Sequence, residues 1–410
     1  MTTRHPRWLV AGAGCWFVVV CFCTLRSNPA GAFRLAETSW HCIVCGEGGV
    51  TDTFLNLLLF LPFGLMARRG GWSLGRIAIA ACGLSAAIEV TQAHFLVGRD
   101  GTVGDVLANT TGAIAGWLMQ PAFVAMLRPA PRGALRGAWI VLLLATVAWS
   151  GTAAGLRPDL NGPAPWFGQR LHLWTGHDPF EGTLQRTTLD GVDLPNDPLP
   201  TVPPADTIDL VVNATRADTT VPQRPVSILR VVDGRQHVQI GMSQHGTALV
   251  FESHVRAGSV LLRTPEWRYE NAAQIPAGVP WRWEWRWTPG QVQLISGAVA
   301  GPVDTMVRPL SVGIGWVLVH PFVDAIGRNS IVWTALWLLV WFGALGWCAG
   351  AASDVALAGF GPAGIAGFVA ASLGSGLPLQ PAEVMVAVLG YVGAAFVARA
   401  LRRHALCLSS

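Results

Sequence analysis

The chain has 410 residues, of which 51% are hydrophobic and 13% charged, roughly half the charged fraction usual in soluble domains. Its net charge of +4 comes from Arg alone, because the sequence contains no Lys, and the Arg residues form no single basic face. One soluble core is thereby excluded and a nucleic-acid partner is not expected. The missing Lys reads as coding bias and carries no function.

A bilayer core of about 30 Å takes roughly 20 apolar residues as a helix. The candidates, in chain order, are Trp8–Leu25, Asp52–Ala67, Ile77–Leu96, Val103–Gln120, Ala138–Leu156, Ile331–Ala349, Val355–Leu373 and Ala382–Ala400. The first lacks a small-residue cleavage site and further apolar stretches follow at once, so it reads as an uncleaved span. The second is short and contains Pro62, which neighbouring helices can accommodate. Arg4 and Arg7 precede the first span, and Arg68, Arg69 and Arg76 join the second to the third. Arg128, Arg132 and Arg136 join the fourth to the fifth, and Arg399, Arg402 and Arg403 follow the last. Eight spans put all four groups on one side, which the positive-inside rule makes cytoplasmic. Both termini are then cytoplasmic, and the segment between spans five and six lies outside.

Across residues 157–310 Pro, Gly, Asp and Thr become frequent and apolar residues come in short alternating runs. The clearest is Trp281-Arg282-Trp283-Glu284-Trp285-Arg286-Trp287. Period two places its four Trp on one face and its charges on the other. Thr288-Pro289-Gly290 marks a turn, after which Val292 and Leu294 resume the alternation. Ser227–Val232, His237–Met242, Ala248–Val255 and Ser259–Arg263 read as further strands. Leu310–Val319 has ten residues, too few to span, and reads as a last strand or an interfacial lead-in. Asp206, Asp209, Asp218 and Asp233 lack calcium-ligand spacing. The expected fold is a polytopic α-helical membrane protein of about eight spans, with an extracytoplasmic all-β sandwich between spans five and six. Its parts are membrane helices over 1–156, the sandwich over 157–320 and three helices over 331–403.

Ionisable residues inside spans cost about 2.5–3.5 kcal/mol each at the bilayer centre on insertion scales, so each calls for a reason. Asp52 and Asn56 share a face at the start of span two, and Glu89 and Gln92 share one late in span three. Asp105, Asn109, Gly112 and Gly116 form a stripe down span four, with Arg99 and Asp100 in the loop before it. All lie toward the outer leaflet in the eight-span topology. The glycines permit close helix approach, which gathers the polar groups into a candidate ligand-binding pocket. Arg99 is placed to pair with Glu89 or Asp105, or to hold a phosphate.

The ordered pattern Asp52-x3-Asn56-x3-Phe60-x-Pro62-Phe63-Gly64, Glu89-x2-Gln92 and Arg99…Asp105-x3-Asn109-x2-Gly112-x3-Gly116 resembles the VanZ-like family over residues 50–120. That resemblance implies helix-packing roles for Pro62, Gly64, Gly112 and Gly116. It also implies a bacterial inner-membrane location, and a part in teicoplanin-type glycopeptide tolerance or cell-envelope upkeep. The founding member lacks the insert and the last three spans. Separately, Pro225–Gly297 is similar to a concanavalin A or laminin G type sandwich, through Val-Val-Asp-Gly, Ile-Gly-Met-Ser-Gln-His-Gly and Val-Leu-Leu-Arg-Thr-Pro. Such sandwiches often bind glycans, so the Trp row reads either as the core face of a strand or as a stacking platform for sugars.

His41-Cys42-Ile43-Val44-Cys45 lies just before Asp52, in an outer loop where oxidation is permitted. A Cys42–Cys45 disulfide is the first reading. A metal site on His41 would lack further ligands nearby, and idle thiols are the third alternative. Cys15, Cys21, Cys23, Cys82 and Cys348 fall in spans as small apolar fillers, and Cys407 falls in the tail. No nucleotide-binding loop, nucleophile elbow or zincin motif is present, and no cofactor or metal is expected. Leu377-Pro378…Glu383…Gly390…Gly393 loosely echoes the span-four stripe. Three functions stay open: a protein binding or remodelling a lipid-linked or cell-wall ligand, a membrane enzyme, and a structural scaffold or lipid translocator. In the enzyme, Glu89 or Asp105 would be general acid or base and Arg99 would hold a phosphate.

Overall fold

The computed structural model describes residues 7–25, 40–44, 48–96, 99, 101–127, 130–160, 162, 167–169, 177–194, 207–216, 218–234, 238–320 and 330–407. Arg4, Cys45, Asp100, Arg128, Asp206 and His237 lie outside them. The long apolar stretches form helices α1 (Arg7–Thr24), α2 (Gly49–Arg69), α3 (Leu74–Phe95), α4 (Val103–Leu127) and α5 (Pro131–Gly155). After the one-turn helix α6 (Arg256–Ser259) come α7 (Ser330–Ala352), α8 (Asp354–Ser375) and α9 (Pro381–Cys407). Ser73 and Ser353 cap α3 and α8, each accepting from the amide three residues on. Pro131 opens α5, at a position that needs no amide hydrogen.

Among the described residues six helices, not eight, are long and apolar enough to cross a membrane: α2, α3, α5, α7, α8 and α9. The apolar part of α1 is the shorter Gly14–Thr24. Helix α4 has 25 residues, but Asp105, Asn109, Thr110, Thr111 and Gln120 dilute its hydropathy. Pro62 sits within α2 without ending it.

The chain divides into two compact units, residues 1–128 and 129–410. In the first, α2 and α4 are interlocked by glycine. A Cβ on Gly64 would strike the Ala113 carbonyl, one on Gly112 the Leu57 carbonyl, and one on Gly116 the Leu61 carbonyl. Backbone therefore meets backbone along three contacts, as small residues allow in membrane interfaces. Below them Arg68 donates to the Trp117 carbonyl at 2.9 Å and lies over its ring, while the Trp117 indole donates to the Trp72 carbonyl. Helix α1 joins through Trp16, which donates to the Leu59 carbonyl at 2.8 Å. Val20, Phe60, Ile77, Ala81, Ile88 and Ala113 form the core between the helices.

The second unit holds the insert. Its strands are β1 (Phe167–Gln169), β2 (Asp178–Pro179), β3 (Gly182–Leu189), β4 (Val192–Asp193), β5 (Ile208–Arg216) and β6 (Val226–Val232). Then come β7 (Val238–His245), β8 (Ala248–Ser253), β9 (Glu266–Tyr269), β10 (Trp281–Thr288), β11 (Gln291–Ala298) and β12 (Val303–Pro309). One sheet runs β1-β6-β7-β8-β9 with β2 alongside β6, and the other runs β12-β11-β10-β5-β3-β4. The Trp-rich strand β10 is central, paired antiparallel with β5 and β11. Trp285 stacks on Phe251 of the opposite sheet, centroids 5.1 Å apart, and Trp287 meets Trp267 edge-on at 5.3 Å. The two sheets thus face each other across an aromatic core.

Two sequence expectations fail here. Ser259–Arg263 is not a strand: the amides of Val260 and Leu262 both return to the Ala257 carbonyl, closing a turn where a strand would have offered them to a neighbour. Leu310–Val319 forms a 3-10 helix over Val312–Leu318, all seven residues buried, so the strand reading does not hold. Gly313 and Gly315 explain the difference. A Cβ on Gly315 would strike Thr152 of α5, and one on Gly313 would strike the carboxylate of Glu383 in α9. The Trp316 indole donates to Thr334 Oγ1 of α7 at 3.0 Å, and Gly290 in the β10–β11 turn abuts Pro378 before α9. The sheets therefore sit at one end of α5, α7 and α9, where α5 ends and the other two begin. Between the helices, Trp149 of α5 stacks on Phe342 of α7 at 5.1 Å and meets Phe368 of α8 at 5.4 Å. Gly346 and Gly350 let α7 touch the backbone of α9 at Tyr391 and Ala395.

Candidate functional site

The start of α4 collects the polar residues of the first unit. Thr102 precedes the helix, and its Oγ1 accepts from the Asp105 amide at 3.1 Å, an N-cap three residues before its partner. The Thr102 amide in turn donates to Glu89 Oε2 of α3 at 3.0 Å. Asp105 Oδ1 accepts from the Asn56 side-chain amide of α2. Three helices are thus joined in one chain of bonds: Glu89, Thr102, Asp105, Asn56. The next two amides of α4 are satisfied from outside the helix, Val103 by the Trp40 carbonyl at 3.1 Å and Gly104 by the Cys42 carbonyl at 3.2 Å. Gly101 and Gly104 make room for this, since a Cβ would strike the Glu89 carbonyl at the first and the Ile43 carbonyl at the second.

One turn deeper, Asn109 donates to Ser85 Oγ of α3 at 2.8 Å and is 1% exposed. Its Oδ1 and the neighbouring Thr110 hydroxyl are buried and have no hydrogen-bond partner among the described residues. Gln92 donates to the Thr24 carbonyl at the end of α1, at 2.8 Å. Glu89 is 2% exposed, whereas Asp105 and Asn56 are half-buried and Asp52, one turn further out, is exposed. The Asp52 charge acts on Asp105, and the Arg99 charge acts on both Glu89 and Asp105. The Arg99 guanidinium donates to the Cys23 carbonyl at 3.3 Å.

The structure therefore brings Asn56, Glu89 and Asp105 together, with Asn109 below and Asp52 and Arg99 at the rim. Gln92 faces α1 instead. Thr102 and Ser85 belong to the cluster and were not singled out from sequence. The signals were there: Thr102-x-x-Asp105 is a capping pattern, and Ser85 stands four residues before Glu89 on the same helical face. Cys42 is disulfide-bonded, while Cys45, its expected partner, lies outside the described residues. Among the described residues no three His, Cys, Asp or Glu side chains are grouped as metal ligands would be.

The sandwich carries polar groups of its own. Trp283, Trp285 and Trp287 are at most 1% exposed and form the core face of β10, with Trp281 half-buried at the start of the strand. On the other face Glu284 pairs with Arg282 at 2.6 Å and with Arg286, which reaches Asp209 at 3.8 Å. Burial, and then the neighbouring Glu284 charge, hold the Asp209 carboxyl above its ordinary range. A cleft of about 400 Å³ includes Arg216, Thr220, Gln244 and Gln274 in its lining. There Arg216 donates to Gln244 Oε1 at 3.3 Å and to the Thr220 carbonyl at 2.9 Å.

Residues 17–124 match the model of the VanZ/LLP1 family, which covers helices α2 and α3 and nearly all of α4. The cluster just described falls wholly within that match. No curated protein and no solved structure matches the chain. The chain is thus a membrane protein with a VanZ-like region, and its sheet domain carries no family assignment.

Proposed function

We propose that this chain is a bacterial cell-envelope protein that crosses the inner membrane eight times, with both termini cytoplasmic and the sandwich outside. It binds or remodels a lipid-linked or cell-wall ligand at the outer leaflet, and contributes thereby to tolerance of teicoplanin-type glycopeptides. Helices α1 and α4, at 18 and 25 residues, have the length of spans, and Asp105 and Asn109 of α4 are turned toward α2 and α3. In the second unit Arg132 and Arg136 open α5 and Arg399, Arg402 and Arg403 close α9, at the end opposite the sheets. The positive-inside rule then favours an external sandwich.

The observation that carries the binding reading is the half-buried Asp105–Asn56 pair, one helical turn from exposed Asp52 and backed by the enclosed Glu89–Thr102 bond. Asp52, Asn56 and Asp105 offer hydrogen-bond acceptors to hydroxyl, amide or ammonium groups of a ligand, and Arg99 offers a donor to phosphate. Glu89 supports this rim from behind. In an enzymatic reading half-buried Asp105 is better placed to meet a ligand than Glu89, which is 2% exposed.

The test is teicoplanin susceptibility of a sensitive host expressing wild type, Asp105→Asn, Glu89→Ala, Arg99→Ala or a deletion of residues 165–308, at matched membrane levels. Protection lost in the point variants and kept in the deletion locates the activity in the polar cluster. A wild type that gives no protection removes the tolerance reading.

A further inference from the structure

The turn that replaced an expected strand has features that make little sense in water. Helix α6 ends in a Schellman arrangement: the Leu262 amide bonds back to the Ala257 carbonyl at 3.0 Å and the Leu261 amide to the Gly258 carbonyl at 2.9 Å. The residue between, Leu261, stands in the left-handed region at φ 57°, a place that favours glycine. It is also 38% exposed, and Val260 beside it is 58% exposed. A strained backbone thus holds two aliphatic side chains outward. Arg256 and Arg263 flank this tip, with no acidic residue between them.

The surroundings fix the level of the tip. Ala257 lies on the last turn of α5, since a Cβ on Gly155 would be 3.1 Å from its own Cβ and 3.2 Å from Leu318 of the 3-10 helix. The chain leaving α5 runs beside it, Pro158 bridging to Val255 and the Arg256 amide donating to the Arg157 carbonyl at 3.0 Å. The Arg263 amide donates to the Leu318 carbonyl at 3.3 Å. Val260 and Leu261 are therefore tied to the end of a helix that is long and apolar enough to cross a bilayer.

We propose that the Arg256–Arg263 turn is a membrane anchor of the sandwich, with Val260 and Leu261 inserted into the bilayer interface and Arg256 and Arg263 directed to phospholipid phosphates. Aliphatic tips with basic flanks suit that layer, where the side chains leave water and the guanidinium groups reach headgroups. The inference rests on the reading of α5 as a span. The sandwich then meets the membrane at two kinds of place, through covalent helix ends and through an inserted turn.

The full chain, reconstituted in nanodiscs of phosphatidylethanolamine and phosphatidylglycerol, would carry a photocrosslinking amino acid at one position at a time. Positions 260 and 261 test the tip. Val147, exposed midway along α5, reports the span, and Val221 reports the far end of the sandwich near the β7–β8 turn. Lipid adducts at 147, 260 and 261 with none at 221 are expected. Adducts at 147 with none at 260 and 261 would overturn the anchor and leave the span intact. Adducts equal at 221 and 260 would overturn it as non-selective. No adduct at 147 would remove the span reading, and the anchor with it.

Discussion

Substituting Gly116 by Ala tests whether the backbone contact between α2 and α4 holds the VanZ-like unit together. The added Cβ would overlap the Leu61 carbonyl oxygen and lie 2.8 Å from its carbon, against the roughly 3.5 Å that carbon pairs require. The Leu61 neighbour is backbone, so relief requires α2 and α4 to part by some tenths of an ångström. Neither helix can part there alone, because Gly112 and Gly64 bring the same backbones together one turn away. Overpacking of this kind costs about 1–3 kcal/mol, and strain on the Arg68–Trp117 bond of 2.9 Å adds about 1 more. Gly83 of α3 is the control, since nothing lies within 4 Å of its added Cβ, and Ala there should stabilise the helix by roughly 0.5–1 kcal/mol. Denaturation of the purified full chain in mixed detergent micelles, followed by near-UV circular dichroism, reads both. The two substitutions should shift the midpoint in opposite directions. If Gly116→Ala behaves like Gly83→Ala, the helices are not in backbone contact and the close approach that assembles the site is wrong.

Other perturbations follow from the same geometry. Glu89→Leu leaves the buried Thr102 amide without its acceptor and should cost about 1–3 kcal/mol, while Glu89→Gln keeps an oxygen there and should cost clearly less; equal midpoints would deny the bond. Trp285→Ala removes a fully buried ring stacked between the sheets and should destabilise the sandwich by about 3–5 kcal/mol, whereas half-buried Trp281→Ala should cost less. An unchanged midpoint for Trp285→Ala would return the Trp row to the surface. Burial, then the nearby Arg263 charge, lowers the His320 imidazole from 6.5 to about 4. The folded chain keeps it neutral while the unfolded chain takes up a proton, so its contribution is full above pH 6.5 and is lost as pH falls toward 4, on the order of 3 kcal/mol. Melting midpoints at pH 7 and pH 4.5 should therefore differ more in wild type than in His320→Phe; the same difference in both would refute it.

Residues whose role depends on their own chemistry were legible, and residues whose role depends on distant partners were not. Gly112 and Gly116 declared a close contact because they stand one turn apart on one face, yet nothing local names Leu57 and Leu61 as the backbone they meet. Asp105, Asn56 and Glu89 stood out because charge and amide are costly in a span, but their link runs through Thr102, a residue too common to notice unless the capping spacing is checked. The Trp strand was visible from period two. Strand β5 was missed although Ile208, Leu210, Val212 and Ala214 alternate in the same way and are all buried. There Val211 interrupts the polar side and hides the pattern. The run Val260-Leu261-Leu262 misled in the other direction: consecutive aliphatics suggest a strand, and only the bonds back to Ala257 show a turn. That Trp149 of α5 packs with Phe342 and Phe368 is a contact across about two hundred residues, which no local pattern encodes.

Both units anchor a carboxylate in the same physical way, and they differ in what lies beyond it. Glu89 and Glu383 both lie near helix ends, are both at most 7% exposed, and each accepts a bond from a segment outside its own helix. In each case a glycine provides the room, Gly101 against the Glu89 carbonyl and Gly313 against the Glu383 carboxylate. Glu383 takes its bond from the Ser311 hydroxyl at the end of the sheets and thereby joins the segment leading into the 3-10 helix to α9. Glu89 takes its bond from a backbone amide whose residue also caps α4 and thereby sets Asp105, so the chain of bonds continues past the carboxylate to half-buried Asp105 and Asn56, one helical turn from exposed Asp52. The Glu89 support therefore leads outward to half-buried Asp105 and exposed Asp52, and the Glu383 support leads to a buried hydroxyl between packed elements.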